Sequence, residues 1–109
     1  MTKTTLTPEV IQLVAQRFRA LAEPARLQIL NCMRHGEMTV TGLVEQTGLA
    51  QANVSKHLQL LHTLGFVTRH KDGLFTYYTL ADKSVFALCD IMCNRLDAEV
   101  RARSRALGS

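Results

Sequence analysis

One long stretch of this chain is almost without acid: between Gln51 and Leu80 the only carboxylate is Asp72. Such a surface is open to a polyanion, because each approaching carboxylate would repel phosphate. The chain also lacks an apolar run of membrane-spanning length and a charged-then-apolar leader at its start. A cytoplasmic location with no membrane partner is therefore expected. Cysteine is scarce, with only Cys32, Cys89 and Cys93. In a reducing compartment three thiols make no disulfide framework; they are buried small hydrophobes or functional thiols. No Gly-rich phosphate loop, nucleophile elbow or suggestive pair of carboxylates is present, which argues against an enzyme and a resident cofactor. Repeats and low-complexity segments are missing too.

What remains is a 109-residue chain, 47% hydrophobic, enough for a single domain over residues 1–109 with a modest core. A core this small is often completed by a partner, so a dimer is expected. The net charge of +4 and pI near 9.3 are compatible with a polyanionic partner without requiring one.

Thr7-Pro8-Glu9 is a helix start, with Thr7 as N-cap and Pro8 at the first helical position. Val10, Ile11, Val14, Phe18 and Leu21 then share one face. Pro24 opens a second helix that runs to about Met33 and closes at His35-Gly36. Thr41 or a neighbour caps a short third helix, and Gly48 marks its exit. The fourth helix spans about Gln51 to Leu64, with Val54, Leu58, Leu61 and Leu64 facing inward. Phe66 to His70 and Leu74 to Leu80 read as strands joined by Lys71-Asp72-Gly73, a hairpin signal. A last helix from about Lys83 to Arg103 has an apolar seam of Val85, Leu88, Cys89, Met92, Leu96 and Val100, with Asp82 as a cap. The predicted fold is mainly α with a two-stranded β-wing: a winged helix-turn-helix, homodimeric through its N- and C-terminal helices.

Thr39 to Leu64 is the helix-turn-helix, whose second helix enters the DNA major groove in proteins of this layout. Gln51, Asn53, Ser55, Lys56, His57 and Gln59 offer amide, hydroxyl, ammonium and imidazole groups there. Amides pair bidentately with adenine, and lysine reaches guanine or phosphate. Arg69, His70 and Lys71, on the first strand and hairpin tip, are placed to rest on adjacent backbone. Double-stranded DNA is the expected partner. A winged-helix protein-interaction module with inert cysteines is the alternative of another class, though acid or exposed apolar residues would be expected on its fourth helix.

The segment QANVSKHLQLLHTLGFVTRHKDGLFTYYTL resembles the recognition helix and wing of ArsR/SmtB-type winged-helix repressors. ALAEPARLQIL resembles their second-helix entry, and the likeness spans about Phe18 to Leu80. It implies a homodimer on a palindromic operator, released when an inducer or oxidant acts at a second site. By this resemblance Gln51, Asn53, Ser55, Lys56 and His57 match the base- and phosphate-contacting part of the helix.

The family's metal sites can be compared residue by residue. Where relatives resemble L-C-V-C-D in the third helix, this chain has Met38-Thr39-Val40-Thr41-Gly42, so hydroxyls replace both soft ligands. The last-helix zinc pattern keeps Asp82, but Ser84 stands at the histidine position and the later ligands fall near Arg95 and Ala98. No metal site is expected from either pattern. Thiol-switch members carry one cysteine in the second helix and one in the last, which implies bridging of Cys32 with Cys89 or Cys93 by oxidation or persulfide. The alternative is an arsenite or soft-metal site of Cys32, Cys89 and Cys93. A direct Cys89–Cys93 bond would strain the helix, since positions four apart sit near the upper limit for a disulfide.

Overall fold

The computed structural model describes residues 5–108. In chain order it contains α1 (Pro8–Leu21), α2 (Pro24–Cys32), β1 (Met38–Thr39), α3 (Val40–Thr47), α4 (Gln51–Thr63), β2 (Val67–Asp72), β3 (Phe75–Leu80) and α5 (Ser84–Ala106). The fold is a winged helix-turn-helix, as the sequence predicts.

Local chemistry sets most boundaries. The Thr7 hydroxyl accepts the Val10 N–H at 3.2 Å, with Pro8 filling a first-turn position that needs no N–H. The Glu23 carboxylate accepts the Ala25 N–H and starts α2. For α3 the cap is Thr39, not Thr41: its Oγ1 accepts the Gly42 N–H at 3.0 Å. Gly48 ends that helix at φ 74°, a left-handed conformation that a Cβ disfavours, and its N–H closes onto the Val44 carbonyl. At the head of α5, an Asp82 oxygen accepts the Ser84 N–H at 2.8 Å.

Two features of the wing differ from the sequence expectation. The sheet has three strands in the order β1-β3-β2, because Met38 and Thr39 pair with Tyr78 and Tyr77. Two residues carry no readable alternation, so this strand exists only because the fold brings it to the edge of β3. The hairpin also turns one residue later than expected. Asp72 pairs with Phe75, leaving Gly73 and Leu74 as the two-residue loop. Only Gly73 has positive φ there, which is the type II′ requirement and excludes type I′.

The core is Ile29, Leu30 and Met33 of α2, Leu43 of α3, Val54, Leu58 and Leu61 of α4, Val67 of β2, and Val85 and Phe86 of α5. Each such side chain contributes about 1.5–3 kcal/mol through burial. From α1 only Ala20 is buried, and α5 leaves the core after its first turn. The radius of gyration, 17.2 Å, exceeds the roughly 13 Å of a compact domain this size because these helices project. Their apolar faces stand open: Phe18 is 56% exposed and Leu96 53%.

Candidate nucleic-acid interface

Val54, Leu58 and Leu61 recur at i, i+4 and i+7, and all three are fully buried. That stripe fixes the roll of α4 and turns Gln51, Asn53, Ser55, Lys56 and Gln59 outward, where all are exposed. The cap residue Ala50 provides no side-chain hydrogen bond. The first-turn N–H groups of α4 therefore have no side-chain cap and can meet an anion.

Alternation along β2 sorts the wing residues between two faces. Arg69 and Lys71 share one face, and Arg69 Nη1 donates to Oε1 of Gln59 at 3.3 Å. Helix α4 and the wing are thus joined through Gln59 and Arg69. His70 lies on the opposite face: its Nε2 is 3.4 Å from Glu37, and its ring stacks on Tyr77 at 5.6 Å between centroids. The sequence placed His70 with Arg69 and Lys71, but a strand sends neighbours to opposite sides.

His57 also departs from the expected surface. It is half-buried, and Nδ1 stands 3.4 Å from Nη1 of Arg26. The sequence counted His57 among DNA-facing groups for its imidazole on the fourth helix and by the family resemblance. One residue along a helix turns about 100°, which carries it from the outer face of Lys56 toward the core side of Leu58. Arg26 and Glu37, the partners of these two histidines, were not singled out from the sequence. Pairings between distant elements leave no local pattern to find.

The three cysteines are free and do not gather. Cys89 and Cys93 line a depression of about 410 Å³ between α2 and α5, beside Leu27, Leu30, Asn31 and Phe86. Arg34 borders it too, its guanidinium 4.1 Å above the Phe86 ring and 3.9 Å from Asp90. Cys32 lines a separate depression with His35, Met38 and Gln46. On α2 it is turned about 200° from Leu30, so the face that meets α5 is not its own. Among the described residues no group of three or more His, Cys, Asp or Glu is placed to hold a metal. The alternative three-thiolate site is therefore not assembled among the described residues, and Cys32 lines a different depression from Cys89 and Cys93. Burial pushes the Cys32 thiol pKa up, which disfavours its thiolate. Thr39, at the family's third-helix metal position, spends its hydroxyl on capping α3.

A model of bacterial regulatory proteins of the arsR family matches residues 23–69. The arsenical resistance operon repressor of Bacillus subtilis is 34% identical over 82 residues, a match covering 73% of this chain and 77% of the repressor. This chain belongs to the arsR family. Within it, the regulator NmtR of Mycobacterium tuberculosis is 42% identical over 77 residues, covering 71% of this chain. That match spans 64% of NmtR, less than two thirds of its length. A solved relative is the homodimeric winged helix-turn-helix DNA-binding domain of Mb0332 from Mycobacterium bovis, a possible ArsR-family transcriptional regulator. It superposes with a TM-score of 0.76 at 28% identity, covering 94% of this arsR-family chain and 95% of the domain. No helix among the described residues is long and apolar enough to cross a membrane.

Proposed function

We propose that this chain is a DNA-binding transcriptional repressor, one winged-helix domain acting as a cytoplasmic homodimer on a palindromic operator. The observation that carries this reading is the continuous exposed surface of Gln51, Asn53, Lys56 and Gln59 joined to Arg69. Within it, amides and hydroxyls offer base-edge hydrogen bonds and the cations meet phosphate. The open apolar faces of α1 and α5, with Ile11, Val14, Phe18, Leu88, Met92 and Leu96, support a second copy as partner. The homodimeric state of the Mb0332 domain supports the same partner. A symmetric pair would set two α4 helices about 34 Å apart, one DNA turn.

The test is fluorescence anisotropy on the duplex that the protein enriches from a random-sequence library. Lys56→Ala removes one cation from each protomer, so it should weaken binding at least about tenfold and reduce the salt slope by about two. Unchanged affinity and slope would remove α4 as the reading helix.

For the signal, thiol chemistry that lowers operator affinity remains our reading. The pairs are Cys32 with Cys89 or Cys93, and Cys89 with Cys93, which border one depression on one helix face but whose bond would locally strain α5. Peroxide oxidises one thiol to a sulfenic acid, releasing water; the second thiol then attacks that sulfur, forming the S–S bond and expelling the hydroxyl as a second water. A Cys32 bridge requires the end of α2 to unwind first. The name of the Bacillus subtilis relative supports a second reading, in which the same thiols take an arsenical.

A further inference from the structure

The Arg26 side chain ties three helices together. It stands in the first turn of α2, where its Nε donates to the Ala20 carbonyl at 2.6 Å and its Nη2 to the Arg19 carbonyl at 3.3 Å. Both carbonyls belong to the last turn of α1, where backbone donors run short, and that of Arg19 also accepts the Ala22 N–H at 3.2 Å. The third nitrogen, Nη1, is 3.4 Å from Nδ1 of His57 in the middle of α4. A guanidinium has donors only and keeps its charge, so Nδ1 must be the accepting, unprotonated nitrogen. The proton of the neutral ring then sits on Nε2.

We infer that Arg26 is a positioning residue for operator binding: through Nδ1 of His57 it holds α4 in orientation against the end of α1. His57 serves binding as the acceptor of this strut, not as a base reader. The inference rests on the DNA-reading proposal above and gives its helix a directional brace. Val54, Leu58 and Leu61 fix the roll of α4 by packing, and the Arg26 contact adds a directional tie from that helix to the end of α1. The strut also joins the reading helix to α1, whose open face of Ile11, Val14 and Phe18 is the one proposed to meet the second copy. A shift of α1 in the dimer therefore reaches α4 through Arg26.

The experiment compares His57→Asn, His57→Gln, His57→Ala, Arg26→Met and the double Arg26→Met/His57→Ala on the enriched duplex. An asparagine oxygen reaches the place of Nδ1, whereas a glutamine amide reaches the place of Nε2. His57→Asn should stay within about threefold of the parent, and His57→Ala and His57→Gln should each lose about tenfold. Arg26→Met should cost little more once His57 is alanine, because both changes remove one contact. Nitrogen NMR should show His57 Nδ1 unprotonated in the parent, and a mixture of tautomers in Arg26→Met. Dimer mass and melting temperature identify a variant that fails to fold, and the His57→Asn and His57→Gln pair then decides. The strut is overturned if Gln retains affinity while Asn loses it, if the two losses multiply independently, or if Nδ1 carries the proton. A parent protein that enriches no duplex overturns the DNA-reading proposal itself, a result separate from any pattern among variants.

Discussion

Arg69 of β2 and Gln59 of α4 are joined by a hydrogen bond of 3.3 Å between the wing and α4. Gln59 is held from its other end as well, its Nε2 donating to Thr63 Oγ1 at 3.4 Å. Its amide is thereby oriented before any ligand arrives. Arg69→Ala removes a cation and frees the amide. With one cation lost from each protomer it should reduce operator affinity at least about tenfold and lower the salt slope by about two, whereas Gln59→Ala should reduce affinity with the slope unchanged. Anisotropy titrations over a range of salt separate the two effects; equal slopes in both variants would show that Arg69 faces no phosphate.

The apolar faces of α1 and α5 give a second expectation. Phe18→Asp places a charge on a surface that is 56% exposed in one chain and covered in the proposed dimer. It should convert the protein to monomer in sedimentation while the far-ultraviolet helix signal persists, because Phe18 lies outside the core. Operator affinity should fall with it, since one half-site then binds alone. A dimer of unchanged affinity would place the interface elsewhere.

Thiol reactivity should follow exposure and charge state. Cys93 is exposed, Cys89 and Cys32 are half-buried, and burial raises the Cys32 pKa. Mass spectrometry after brief alkylation should find Cys93 modified first and Cys32 last. A Cys32 cross-link to Cys89 or Cys93 as the first product of peroxide would show that α2 opens readily at its end.

Acid should weaken the start of α5. The Asp82 pKa is lowered, chiefly by the Ser84 backbone N–H that its carboxylate accepts. A depressed folded-state pKa gives a contribution present above the ordinary aspartate range and lost as pH falls through the folded value. The melting-temperature difference between the parent and Asp82→Ala should therefore be largest near neutral pH and shrink in acid. A difference constant with pH would assign the effect to something other than this charge.

The helices were legible because each carries its own punctuation. Thr7-Pro8, Pro24 and Gly48 mark ends, and Val54, Leu58 and Leu61 mark a buried stripe. So was the exposed face of α4 proposed to meet DNA, since the outer residues follow once the inner stripe is known. The third strand was not legible, because Met38–Thr39 is too short for a pattern and is stabilised by its neighbour. Nor were the fates of His57 and His70, whose partners lie far away in the chain.

The sequence alone determined helix positions, the hairpin, the acid-poor stretch and the open apolar faces, all consequences of local propensity and periodicity. Only the tertiary structure decided which polar residues stand exposed and which are paired across elements. It turned His57 to Arg26 and His70 to Glu37, and it set Cys32 apart from Cys89 and Cys93. The physical reason is directional: a side chain's partner depends on the roll of its helix or the face of its strand. Roll is fixed by packing against elements that the local sequence does not contain.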